Sequence, residues 1–145
     1  MSRAQQLPRA HANLVSGAVD DGMAYAVLPW AYSLHRSAHT PPHFIIGYLE
    51  GKLSSRNRQT LTVGLSSLSI SHDFVELTPD PRFIKQGHIS PTTFTKFQLA
   101  DNIPGPHVWI DIDTVATAGW DQILSEISQA PRSAALVVAE RGHEH

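Results

Sequence analysis

Cysteine is absent from the 145 residues, which excludes disulfides, thiol catalysis and thiolate zinc sites whatever the compartment. Long apolar runs are missing as well. The longest, around residues 24–31, is interrupted by Pro29 and is far too short to cross a bilayer. The arginines near the start are not followed by a continuous apolar core, so no secretory signal is expected. Neither a glycine-rich phosphate loop, nor a G-x-S-x-G nucleophile elbow, nor a dinucleotide-binding glycine fingerprint occurs. These absences point to a soluble, cytoplasmic protein with no cofactor motif and no membrane contact.

What is present fits one globular domain over residues 1–145, with 1–6 and 141–145 expected to lie outside its ordered part. The net charge of −2 argues against a general nucleic-acid binder. Its distribution says more. From Gly51 to His72 the formal charges are Lys52, Arg56 and Arg58, whereas from Phe97 to Pro131 they are Asp101, Asp111, Asp113, Asp121 and Glu126. A basic zone and an acidic zone of this kind can attract each other within the fold or across a homo-oligomer contact.

Periodicity gives the elements. Leu7, His11, Leu14, Val15 and Ala18 suggest a helix over residues 5–19. Asp20-Asp21-Gly22 then reads as a break, its aspartates placed to cap the next element. Met23, Val27, Trp30, Ala31 and Leu34 form a helical stripe with Pro29 inside it, favouring a kinked helix over a strand plus turn. His43 to Leu53 is rich in β-formers, Ser54 to Arg58 has turn chemistry, and Leu61, Val63 and Leu65 alternate, which together read as a hairpin. Phe74, Val75 and Leu77 make a further strand. Pro91 opens a short helix to about Ala100. The best-specified stretch runs from Pro106 to Glu140. There Val108, Ile110 and Ile112 alternate as a strand, Trp120, Ile123, Leu124 and Ile127 share a helix face, and Ala134 to Ala139 reads as a buried strand. The fold class expected is therefore α+β, a single domain. It combines N-terminal helices, an antiparallel β-meander from about His43 to Leu77, and a C-terminal strand, helix and strand completing a mixed sheet.

Three groups of residues carry possible chemistry. Asp111 and Asp113 share one face near the end of the predicted strand, about 7 Å apart along it, a spacing at which two carboxylates can share a divalent cation. His35, His39 and His43 are spaced by four, a familiar imidazole arrangement for metals, but Pro41-Pro42 takes His43 off the helix. His72 can join either set only if the fold brings it near. Lys52, Arg56, Asn57 and Arg58 sit at the tip of the expected hairpin, where they can contact an anionic partner. The leading expectation is a non-catalytic binding or adaptor module whose partner is another protein or a second copy of itself, nucleic acid being weakly supported. One alternative is a small metal-dependent hydrolase or phosphoesterase using Asp111, Asp113 and a histidine such as His72. The other is a structural, self-associating protein.

Overall fold

The structure, a computed structural model, describes residues 13–83 and 87–129. Strand β1 (Leu14–Ala18) leads through a 3-10 segment (Asp21–Ala26) into helix α1 (Val27–Ser37) and then strand β2 (His43–Leu49). Helix α2 (Ser55–Ser67) and strand β3 (His72–Leu77) come next. A second 3-10 turn (Pro91–Phe94) opens helix α3 (Thr95–Asn102), after which come strand β4 (Val108–Trp109) and helix α4 (Gln122–Gln129). Among the described residues the strands form one four-stranded sheet in the order β3-β2-β1-β4. Every pairing in it is parallel, with Leu14 opposite His43, Phe44 opposite His72 and Val15 opposite Val108. The expected antiparallel meander and mixed sheet are therefore wrong; this is an α/β sheet.

The error has a local physical cause. Leu61 and Leu65 are buried and Val63 is 64% exposed, so residues 61 to 65 present an i, i+4 helix stripe that alternation cannot distinguish from a strand over so short a run. Ser54 starts the helix, its hydroxyl accepting from the Asn57 N–H at 3.2 Å. At the other end Ser69, just past the last turn, takes a positive φ of 57°. The expected helix over residues 5–19 is likewise corrected over its described part, where Leu14–Ala18 is β1.

Parallel sheets are covered on both faces, and β2, buried at all seven positions, shows it. Val27, Trp30, Ala31 and Leu34 from α1 and Leu61 and Leu65 from α2 pack with Val15, Phe44, Ile46 and Tyr48 on one face. On the other, Leu99 and Ile103 pack with Ile45, Leu49 and Leu77. Pro29 is tolerated because it falls in the first turn of α1. Two glycines set the spacing of the layers. A Cβ on Gly17 would meet the Trp30 ring at 3.0 Å, and one on Gly47 would meet Leu99 Cδ1 at 2.7 Å. Helices on both faces can thus sit unusually close to the central strands.

The C-terminal strand is shorter than expected. β4 covers only Val108 and Trp109, Ile110 adding a backbone bond to the Ser16 carbonyl at 3.0 Å. The helix after it begins at Gln122. The stretch Ala134 to Ala139 lies outside the described residues. No helix among the described residues is long and apolar enough to cross a membrane.

The helical reading of residues 55–67 predicts unequal effects from neighbouring apolar positions. Leu65→Ala should destabilise by about 2–5 kcal/mol through its cavity, whereas Val63→Ala should stay within about 0.5 kcal/mol. Urea denaturation of the two variants checks this, since a strand would bury both side chains on one face.

Candidate active site

In an open parallel sheet, ligands bind beyond the C-terminal ends of the strands, at the point where the strand order reverses. Here that point lies between β1 and β4, because the chain proceeds outward from β1 through β2 and β3 and then returns to β1's other edge. Four carboxylates leave the strands at this place: Asp20 and Asp21 after β1, and Asp111 and Asp113 after β4.

Asp20 and Asp21 have structural partners. Asp20 caps the 3-10 segment, Oδ1 accepting from the Met23 N–H at 3.1 Å, and its Oδ2 accepts from the Thr92 hydroxyl at 3.4 Å. It thereby ties the turn before α3 to the end of β1. Asp21 Oδ1 accepts from the Ser54 N–H at 2.9 Å and from the Asn57 side-chain amide at 2.8 Å. The Ser54 backbone bond, seconded by Asn57, holds the Asp21 carboxyl below its ordinary value. Ser54 and Asn57 both belong to the start of α2, so Asp21 joins two segments that end at this edge.

Asp111 and Asp113 stand on a turn rather than on a strand. The Asp111 carbonyl accepts from the Thr114 N–H at 3.3 Å and from the Thr114 hydroxyl at 2.7 Å. Ile112 is buried between them and anchors the turn in the core formed with α1 and α2. Both aspartates are exposed. Asp111 Oδ1 accepts from the Trp109 indole N–H at 2.8 Å. Tyr25, on the 3-10 segment at the same edge, leaves 76% of its surface exposed.

The other candidates are elsewhere. His72 is the first residue of β3 and His43 the first of β2, so both lie at the N-terminal edge, across the length of the sheet from Asp111 and Asp113. His43 is buried there between Ser71 Oγ, 2.6 Å from Nδ1, and Asp73 Oδ2, 2.8 Å from Nε2. His35 lies in the last turn of α1, and His39, past its end, bonds Asp121 through its backbone N–H at 2.7 Å. The structure thus does not bring the histidines together with the paired aspartates. Among the described residues there is no group of three or more histidine, aspartate or glutamate side chains placed to hold a metal.

The basic residues are not on a hairpin tip. Lys52 lies in the exposed turn after β2, and Arg56, Asn57 and Arg58 form the first turn of α2. Asn57 is engaged with Asp21, and Arg58 Nη1 donates to the Tyr48 hydroxyl at 2.9 Å. Sequence reasoning singled out Asp111 and Asp113 but missed Trp109, Thr92 and Tyr25. The i, i+2 spacing of Trp109 and Asp111 was the one available signal.

No family model and no curated protein matches the sequence. Solved structures do. The galactosyltransferase LgtC, solved in complex with donor and acceptor sugar analogs, has a TM-score of 0.65 at 22% identity, over 76% of this chain and 41% of that one. An active-site mutant of LgtC gives 0.65 at 21% identity with the same coverage. WbbM, a bifunctional glycosyltransferase in its apo form, gives 0.59 at 22% identity, over 82% of this chain and 22% of that one.

This chain shares their Rossmann-like α/β fold. It spans less than half the length of either enzyme. The expectation of a non-catalytic adaptor module, with its basic hairpin, is overturned by this likeness to sugar-transfer enzymes and by the helix at residues 55–67. The histidine-assisted phosphoesterase loses its partner residue, because His72 opens β3 at the sheet edge opposite Asp111 and Asp113.

The bonds at Asp21 predict a pH-dependent contribution to stability. A carboxyl whose folded pKa is depressed stabilises above the ordinary value near 3.8, and the contribution disappears as pH falls through the lower folded pKa. Asp21→Ala should therefore melt below the wild type at pH 7, and the gap should close under acid conditions below the ordinary carboxylate range. Thermal melts across that range read this directly.

Proposed function

We propose that this chain is the donor-binding part of a sugar-transferring enzyme and that it holds the diphosphate of a nucleoside diphosphate sugar with Asp111 and Asp113. The observation that carries the reading is placement. Both carboxylates stand at the end of β4, beside the end of β1, at the strand-order reversal where open α/β sheets bind ligands. The fold likeness to LgtC and WbbM supports it.

Transfer of a glycosyl group breaks the bond between the anomeric carbon and a phosphate oxygen, and negative charge accumulates on the departing diphosphate. A divalent cation, when bound, neutralises that charge. The donor set fits such an ion: two carboxylates are hard oxygen ligands, suited to Mg²⁺ or Mn²⁺. Ions of this class commonly take one or two carboxylates from the protein and complete their shell with substrate phosphates and water. Asp111 and Asp113 are the residues that would hold it.

The remaining residues prepare the site. Asp20 engages both oxygens, with Met23 and Thr92, so its role is to fix the segments on either side of the crevice. Asp21 fixes the start of α2 in the same way. The exposed Tyr25 ring offers a face on which a nucleobase can stack, an interaction worth about 1–3 kcal/mol per base.

Cation and nucleotide should consequently bind together. Calorimetric titration with UDP and GDP is expected to show binding of at least one in the presence of Mn²⁺, weakened about tenfold or more by EDTA or by Asp113→Asn. Absence of binding by both nucleotides with Mn²⁺ present would refute the reading, and binding indifferent to EDTA would remove the cation from it.

A further inference from the structure

Asp111 is exposed, and an exposed aspartate on a turn ordinarily samples several rotamers. Here one oxygen is already assigned, since Trp109 Nε1–H donates to Oδ1 at 2.8 Å. The two side chains meet because residues i and i+2 lie on the same side of extended chain.

The direction of control comes from packing. The Trp109 ring rests against the core cluster of Ile45, Leu49, Leu77, Leu99 and Ile103, beneath α3. Its backbone is held in register with Ser16 of β1. The indole is therefore located by the fold, and the carboxylate takes its orientation from the indole. With Oδ1 turned to Trp109, Oδ2 is the oxygen presented away from it. The donor is also uncharged. A lysine or arginine at this place would orient Asp111 equally well but would offset the negative charge on which cation binding depends.

We propose that Trp109 is a positioning residue that presents Oδ2 of Asp111 to the divalent cation; this rests on the donor-binding reading above. It is a role for the indole N–H as distinct from the ring, whose packing supports the fold in any case. Outer-sphere hydrogen bonds of this kind are typically worth about 10–100-fold in metal affinity.

The test separates the N–H from the ring. Mn²⁺ binding is followed by electron paramagnetic resonance, with and without UDP, in the wild type, in Trp109→Phe, and in a variant carrying 3-benzothienylalanine at position 109. The last keeps the bicyclic shape and replaces N–H by sulfur. Both variants are expected to bind Mn²⁺ about tenfold more weakly, while the benzothienyl variant keeps the wild-type unfolding midpoint. In the wild type, the indole ¹H–¹⁵N resonance of Trp109 should shift on addition of Mg²⁺. That of Trp120, whose Nε1–H donates to the Leu34 carbonyl at 3.1 Å, should stay in place. If the benzothienyl variant binds Mn²⁺ as the wild type does while Asp111→Asn loses it, the positioning role is refuted and the cation site stands. If the wild type takes up no Mn²⁺ under either condition, the cation is removed from the donor-binding reading and this inference falls with it. Should Trp109→Phe fold poorly, the benzothienyl variant decides.

Discussion

Strand β1 is paired on both edges, with β2 on one side and β4 on the other, all three running the same way. The strand is only five residues long and is made largely of small ones, Ser16, Gly17 and Ala18. Ser16 is fully buried, its hydroxyl donating to the Val108 carbonyl at 3.4 Å. Gly17 leaves room for both the Trp30 ring and the Ile110 carbonyl, which a Cβ would meet at 3.0 and 3.2 Å. Larger residues would push α1 or β4 away. Because β4 is held there, the strand order reverses at β1, and Asp20, Asp21, Asp111 and Asp113 follow the two strands that meet at that reversal.

The two ends of the sheet consequently have different tasks. At the N-terminal edge His43 bridges Ser71 and Asp73, tying the starts of β2 and β3 together with its ring buried. At the C-terminal edge the polar groups divide. Asp20 and Asp21 are satisfied by backbone and side-chain donors and act as fasteners, while Asp111 and Asp113 sit exposed on a turn anchored by Ile112. Carboxylates close to one another raise the local concentration of cations, which is the physical basis of the cation proposed at this edge.

Much of this was legible in the residues. The β-rich run from His43, the strand at Phe74 to Leu77, the α1 stripe and the short helix after Pro91 can all be read from period and caps. Asp111 and Asp113 are legible as a carboxylate pair at i, i+2. Ambiguity over short runs misled elsewhere. Leu61, Val63 and Leu65 satisfy alternation as well as a helical i, i+4 pair, and reading them as a strand converted one βαβ unit, β2-α2-β3, into a meander. Leu14, Val15 and Ala18 in turn satisfy a helical spacing although they belong to a buried strand, where apolar residues need not alternate. The Trp109 contact offered only its i, i+2 spacing with Asp111 as a signal, and the packing that locates the indole depends on a register with β1 that only the assembled sheet supplies.

Localising a bound cation tests the proposed donor site most directly. Adding Mn²⁺ to ¹⁵N-labelled protein broadens amide resonances in proportion to their closeness to the ion. Broadening is expected to concentrate at the ends of β1 and β4, from Ala18 to Asp21 and from Ile110 to Thr114, with His43 and His72 at the far edge unaffected. Broadening centred on those histidines, or none anywhere, would contradict a cation held by Asp111 and Asp113.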